Sequence, residues 1–401
     1  MELHAGLPYW IAKNPLYNYY HPLKKDISVE VLIIGSGITG ALVAHELCEA
    51  GIQCAILDKR SIANGSTIAT TALLQYEIDT PLCELVKIIG EKNAVSAYKA
   101  CLQSITDLEK VFETINYNPD YSRVPSVFYA SNKKGVNLIK KEYIIRRKHN
   151  LPVTYLNKRE LAEKYGFKAG GALENQVSAQ VDAYAAATHL IDYHKKNSRL
   201  DVYTHTEISR YKSQGKGCEL YTSTGNKVKA KYVVIAAGFE AGKFLPEKVM
   251  KLTSTYAIIS QPLDEKYIWK DHSLLWETKD PYLYIRTATH NRIMVGGEDI
   301  KFKSPEIRDA LLRRKVKILE KKFHKLFPSI PFITDMVWCG TFSSTPDGLP
   351  FIGEWPGQEN MFYTLGYGGN GITFSMIAAQ LIRNKLLGIT DEREPVFGFE
   401  R

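Results

Sequence analysis

Apolar positions in this chain come in short blocks with two different periods. VEVLII, residues 29–34, is a continuous run rich in β-branched side chains, the pattern of a parallel strand buried on both faces. QCAILD, residues 53–58, is a second such run. Between them, ALVAHELCEAG offers Ala41, Val43, Ala44 and Leu47 to one side of a helix that Gly51 closes. Helix patterns follow in LCELVKIIG and AYKACLQSITDLEKVFETI. DAYAAATHLIDYHKK predicts a helix ahead of the strand KYVVIA, and NMFYTLGY predicts a strand ahead of the helix ITFSMIAAQLIRNKLLG. Strand-like segments interrupt this order: VPSVFYASN with a basic helix behind it, then TYAIISQP, YLYIRTA and NRIMVGG. The long helix PEIRDALLRRKVKILEKKFHKLF comes next, and no internal repeat is present. The expected class is α/β: a parallel sheet with helices, carrying an inserted antiparallel sheet, with a ligand held between the two.

Composition changes this picture little. The 401 residues are enough for two domains, and 45% hydrophobic with 24% charged residues is ordinary for a globular chain. No apolar run approaches the roughly 20 residues of a membrane span. The first residues lack the basic and apolar regions of a signal peptide. Tyr9, Trp10, Tyr17, Tyr19 and Tyr20 suggest an arm packed on the body. Six cysteines without a CxxC pair point to free thiols and a reducing cytoplasm, and the ten histidines show no metal-ligand spacing, so no metal is expected. The net charge of +9 permits nucleic acid as a partner, yet runs such as Lys24-Lys25, Arg146-Arg147-Lys148 and Arg313-Arg314-Lys315 do not interleave with aromatics and read as a solvated basic surface.

Chemistry enters at Gly35, Gly37 and Gly40, spaced GxGxxG between the first strand and the first helix. Gly35 permits the tight turn, Gly37 lets a pyrophosphate approach the backbone, and Gly40 lets helix and strand close together; the helix start at Ile38 and Thr39 faces the phosphates. Asp58, with Lys59 after it, stands where an acid bonds a ribose. This unit suits NAD as well as FAD. The segment beyond it is denser in small hydroxyls than a further βα unit requires: Ser61, Gly65, Ser66, Thr67, Thr70 and Thr71, able to wrap a phosphate chain.

With these residues the chain resembles the FAD-dependent oxidoreductases of the D-amino-acid oxidase, glycine oxidase and sarcosine oxidase superfamily. Two further segments carry the resemblance. AKYVVIAAGFEAGKF is similar to the second motif of the family's glutathione-reductase-type Rossmann-like domain, at Ala237 and Gly238. WCGTFSSTPDGLPFIGEW and the glycine loop before the last helix resemble its closing signature, at Gly340, Gly368, Gly369, Asn370, Gly371 and Ile372. The resemblance implies FAD, bound along all these residues. It also implies hydride removal from a carbon bearing nitrogen in an amine or amino acid, hydrolysis of the imine, and reoxidation by oxygen or another acceptor. The implied organisation is an arm at 1–28, an FAD domain from 29–120, 150–245 and 335–390, a substrate domain from 121–149 and 246–334, and a tail at 391–401.

Substrate residues follow from the same resemblance. Tyr284 and Arg286 lie two apart on a strand similar to the family's Y-x-R strand and so share a face, where Arg286 would fork onto a substrate carboxylate. An Arg salt-bridged at a sheet edge is the alternative. Gln75 and Tyr76 are placed to line the pocket, and His290 to sit in a surface turn. The chain departs from the family where glycine oxidases carry arginines, having Gly340-Thr341-Phe342 and Gly369. Gln75 and Thr373 stand where sarcosine oxidases have basic residues, and Met294 where they have an oxygen-activating Lys. These departures count against simple glycine, sarcosine or D-amino-acid oxidation. Cys339 falls one residue early for a covalent flavin link, which turns it to the opposite strand face and predicts non-covalent FAD. A tRNA-modifying flavin oxidase, and a flavin-binding protein without turnover, are the competing readings.

Overall fold

The computed structural model describes residues 3–15, 19–214 and 217–401. Two sheets divide the chain. The strands Cys54–Leu57, Ile27–Ile34 and Lys227–Ile235 run parallel, extended by Leu200–Tyr203 on one side and Met361–Leu365 on the other. Their apolar runs are continuous because both faces are covered. Val31 and Ile33 pack among the helices Ile38–Glu49, Ala183–Lys196 and Gly371–Leu386, while Leu32 and Ile34 pack against the antiparallel flap Ile208–Gln214 and Gly217–Thr222 and the turn Gly238–Phe244. Lys227–Ile235 joins the layers: its first half pairs with the flap and its second half with Met361–Leu365.

The second sheet has nine strands among the described residues. Its order is His4–Gly6, Thr334–Ser344, Lys251–Ser260, Arg292–Lys301, Tyr284–Ala288, Leu274–Glu277, Ser126–Tyr129, Ala172–Asn175 and Thr154–Leu156. One face carries Tyr256, Ile258, Ile285 and Val295 against Leu319 and Phe323 of the helix Pro305–Leu326. The other face turns Ala257, Ile259 and Met294 toward the first domain.

Strand pairing corrects three expected boundaries. Residues 154–156 and 172–175 belong to this larger sheet and not with the 150–245 block, because they complete the open edge of Ser126–Tyr129. The strand Thr334–Ser344, placed with 335–390, is also a member, paired along its length with Lys251–Ser260. The arm supplies an edge strand at His4–Gly6. Trp10 and Tyr20 of the arm are buried and Tyr19 is exposed, whereas Tyr17 lies outside the described residues. The tail folds back, burying Val396 and Phe397, and Arg401 bonds both carboxylate oxygens of Asp347 in the Thr345–Gly348 turn.

Candidate functional site

A cavity of about 870 Å³ runs between the two sheets. At one end it is walled by the tips of the parallel strands. Gly35 has φ +110°, and a Cβ there would sit 2.4 Å from the Ala236 carbonyl oxygen, so the turn admits no side chain. Asp58 is fixed by its neighbours: Oδ2 accepts from the Ser36 N–H and hydroxyl, both at 2.7 Å, and Oδ1 from the Arg60 N–H at 2.8 Å. Glu240 gathers Lys59 at 2.6 Å, Arg60 at 3.0 Å and Lys243 at 3.2 Å. Burial opposes its ionisation, but the bonds and charges of Lys59 and Arg60 outweigh that and hold it down to about 2. Lys59, Asp58, Ala237 and Gly238 all line this end.

The middle of the cavity passes the start of the Ile38–Glu49 helix. Gly37, Ile38 and Thr39 line it, together with Gly65, Ser66, Thr67, Thr70 and Thr71. Thr67 Oγ1 accepts from the Ile38 N–H at 2.9 Å, joining the hydroxyl segment to the helix start. Gly40 does not reach the cavity. It packs on the Gly35 carbonyl, the close approach its position in the motif demands. Donors from elsewhere pin the carbonyls of the hydroxyl segment: Trp338 Nε1 on Ala69 at 2.9 Å, Trp10 Nε1 on Thr70 at 2.7 Å, and Arg286 Nη1 on Thr71 and Ala72 at 3.0 and 2.9 Å.

Arg286 therefore does not do what the sequence suggested. It is 2% exposed, does not line the cavity, and spreads its donors over the carbonyls of Thr71, Ala72, Val181 and Thr287. Burial draws its pKa down to about 10, still cationic at neutral pH. Its Nε and Nη1 donors are thus committed to main-chain oxygens. Asn370 is likewise out of the cavity, donating to the Gln75 and Glu77 carbonyls at 3.3 and 2.7 Å and so tying the glycine loop to that segment. Gly368, Gly369, Gly371, Ile372 and Gly340 do line the wall. Thr373 and Met294 are buried and absent from it. His290 is exposed. Tyr76 is buried, bonded to the Pro152 carbonyl at 2.6 Å. Cys339 Sγ points to Asp309 at 3.5 Å on the side of the Pro305–Leu326 helix, away from the cavity.

At the other end the nine-stranded sheet presents Thr255, Tyr282, Tyr284, Asp299 and Phe342, with Gln75 opposite, its amide donating to Ser126 at 2.8 Å. The Tyr284 and Thr255 hydroxyls are 3.1 Å apart. Tyr282 donates to Asp79 Oδ1 at 3.0 Å, and the Gly369 N–H to Asp79 Oδ2 at 2.7 Å. Asp299 was not foreseen. Opposite Thr255 the strand pairing slips, with Tyr256 facing Gly297 and Ser254 facing Ile300, so two residues stand against one. Glu298, at φ +59°, turns outward to Lys315 and Lys322, and Asp299 turns into the cavity. Period-2 alternation cannot reveal such a residue; the Gly-Gly pair just before it was the available sign.

The volume, the glycine approaches and two helix starts at the wall, at Ile38 and Gly371, whose N-cap residues make no side-chain capping bond, fit a dinucleotide bearing a fused-ring system. Two buried polar atoms in the wall, Asp299 Oδ1 and the Tyr367 hydroxyl, have no hydrogen-bond partner within the protein. Comparison with known proteins agrees with the shape. A family model described as FAD dependent oxidoreductase (DAO) matches residues 30–384. Glycine oxidase of Geobacillus kaustophilus (strain HTA426) is 24% identical over 387 residues, covering 92% of this chain and 94% of that protein. Gamma-glutamylputrescine oxidoreductase of Escherichia coli (strain K12) is 22% identical, covering 95% and 88%. The crystal structure of glycine oxidase from Geobacillus kaustophilus superposes with a TM-score of 0.75 at 21% identity, over 91% of this chain and 96% of that one.

Proposed function

Because this chain belongs to the DAO family of FAD-dependent oxidoreductases, with FAD as its cofactor, we propose that it oxidises the carbon–nitrogen bond of an amine or amino acid. The observation that carries the reading is one continuous cavity joining the glycine turn at Gly35 to the polar pocket at Tyr284 and Asp299. The names of the two relatives span both substrate types, one an amino acid and the other an amine.

Bound FAD supplies a two-electron acceptor for a hydride leaving the carbon beside nitrogen. The protein's part is to hold and tune. Asp58 and the Lys59–Glu240–Arg60 cluster would take the ribose end, and the helix start at Thr39, with the Thr67 hydroxyl beside it, the pyrophosphate. The start of the Gly371–Leu386 helix would favour negative charge developing at the ring system. Arg286, Trp10 and Trp338 keep the hydroxyl bed in place from behind. Tyr284, Thr255, Gln75 and Asp299 face the substrate space.

The test is spectroscopic. Purified protein should be yellow, and anaerobic addition of amines, N-methyl amino acids and D-amino acids should bleach it for at least one compound. Admitting air then separates an oxidase, which recolours at once, from a dehydrogenase. A colourless protein that takes up no FAD would end the reading.

A further inference from the structure

The two ends of the cavity differ in charge. Among the described lining residues the cations are Lys59, Arg60, Arg210 and Lys243, and all belong to the ribose end, three of them bonded to Glu240. The far end contains no Lys, Arg or His. Its wall is Thr255, Tyr282, Tyr284 and Phe342, with the carboxylate of Asp299. Arg286, the one guanidinium on that strand pair near the cavity, is committed to carbonyl oxygens. A substrate carboxylate brought here would lose its water and gain no counter-charge, and it would face a second negative group.

We propose that the substrate is a cationic amine with no carboxylate beside the reacting carbon, and that its ammonium pairs with Asp299. This rests on the preceding reading, that the chain oxidises a C–N bond. Three features support it. Asp299 lines the cavity, and its buried Oδ1 has no hydrogen-bond partner in the protein. The bulge separates its role from that of Glu298, which takes the lysines of the neighbouring helix and leaves Asp299 without a cation of its own. Asp79, held by Tyr282 and the Gly369 N–H behind the wall, adds a second carboxylate near the same tyrosines and so adds to the negative field at this end.

The carboxylate also suits the chemistry. Hydride can leave only once nitrogen has a free lone pair. Burial, countered in part by Thr255 and reinforced by the charges of Asp79 and Asp280, pushes Asp299 up to about 7, a proton acceptor matched to neutral pH. One N–H proton would move from the ammonium to the Asp299 carboxylate. Bound FAD would supply the acceptor for the hydride that then leaves the adjacent carbon, the nitrogen lone pair closing the C=N bond. Water would add to the iminium and give a carbonyl compound and ammonium or a protonated amine.

The holoenzyme can be titrated anaerobically with diaminobutane and butylamine against glycine, sarcosine and D-alanine, following loss of flavin colour. The amines should bleach it with a rate-to-Kd ratio at least about 100-fold above the amino acids. In Asp299→Asn the flavin should stay bound while bleaching by amines falls about 100-fold, with partial recovery in Asp299→Glu. A binding readout stands apart from turnover: butyltrimethylammonium should perturb the oxidised visible spectrum of the wild type, and pentanoate should not. That pair of ions decides the matter even if the Asn variant loses flavin. Bleaching by the amino acids with silence from the amines, or perturbation by pentanoate alone, overturns this inference and leaves C–N oxidation standing. Failure of every compound to bleach a yellow protein overturns both.

Discussion

Replacing Arg286 by Met separates the two roles open to this residue. Met nearly matches the length of the side chain and removes every donor. In the structure Nη1 serves the carbonyls of Thr71, Ala72 and Val181, and Nε that of Thr287, at a residue 2% exposed. Hydrogen bonds to a charged donor contribute about 1.5–3 kcal/mol each, and they are not additive when one group makes all of them. The orphaned carbonyls regain some water through the cavity, so a total of about 3–5 kcal/mol is expected. At about 2.1 cal/mol/K per residue, 401 residues give an unfolding entropy near 0.8 kcal/mol/K, which converts that loss to a fall in Tm of about 4–6 °C. Because Thr71 and Ala72 form part of the cavity wall, FAD affinity should fall with it, seen as flavin lost during gel filtration. Differential scanning fluorimetry, with flavin absorbance on the same samples, measures both. A variant with unchanged Tm and full flavin content, whose only defect is a raised KM, would refute the clamp and restore Arg286 to the substrate.

Other consequences are quickly tested. Gly35→Ala forces a Cβ to 2.4 Å from the Ala236 oxygen at φ +110°, and should yield folded protein with little bound flavin. Acid precipitation should release the flavin into the supernatant, since Cys339 faces Asp309 and burial pushes its thiol up to about 11; a yellow pellet would contradict this. Glu240, depressed to about 2, should contribute stability that is complete above its unfolded value near 4.5 and lost as pH falls toward 2, so Glu240→Gln narrows the gap to wild type only in that acid window. Asp299 has the opposite sign. Its pKa is raised from 3.8 to about 7 among Thr255, Tyr282, Tyr284, Asp79, Asp280 and the more distant Lys315, so the apoprotein binds more protons folded than unfolded and loses stability across that interval. Asp299→Asn apoprotein should therefore gain Tm over wild type as pH rises from 4 to 7, and equal it below.

Local chemistry was legible in the chain and long-range pairing was not. The turn at Gly35–Gly40 could be read from its spacing between one strand and one helix, although only Gly40 is constrained locally, by the Gly35 carbonyl; Gly35 is held by Ala236 and Gly37 by Thr67, both distant in sequence. The hydroxyl cluster at 61–71 could be read from composition alone, and of its named residues all but Ser61 line the cavity. Domain borders failed where a strand joined an edge far away in sequence: 172–175 beside 126–129, and 4–6 beside 338–340. Alternation along 284–286 was sound, since Ile285 packs on the helix side and its neighbours turn the other way. What alternation could not supply was depth. Tyr284 reaches open cavity, but Arg286 meets the backs of Thr71 and Ala72 first.

That difference in depth suggests how one strand pair divides its work. In the strands Tyr284–Ala288 and Arg292–Lys301, Arg286 lies opposite Met294 in regular register, and there the side chains fill the seam between domains. Farther along, Tyr284 lies opposite Gly296, whose missing side chain leaves room for the phenol ring, since a Cβ there would meet the ring at 2.1 Å. Immediately beyond, the bulge opposite Thr255 re-aims Asp299 into the opening thus made. The regular stretch packs behind the hydroxyl bed, and under the proposed function the irregular stretch, from Gly296 to Asp299, would address the substrate. Deleting Glu298 would remove the extra residue and leave Asp299 directly opposite Thr255 on the cavity face, so amine bleaching should survive in a protein that still binds FAD, whereas deleting Asp299 itself should abolish it; retained bleaching in the second variant would place substrate recognition elsewhere.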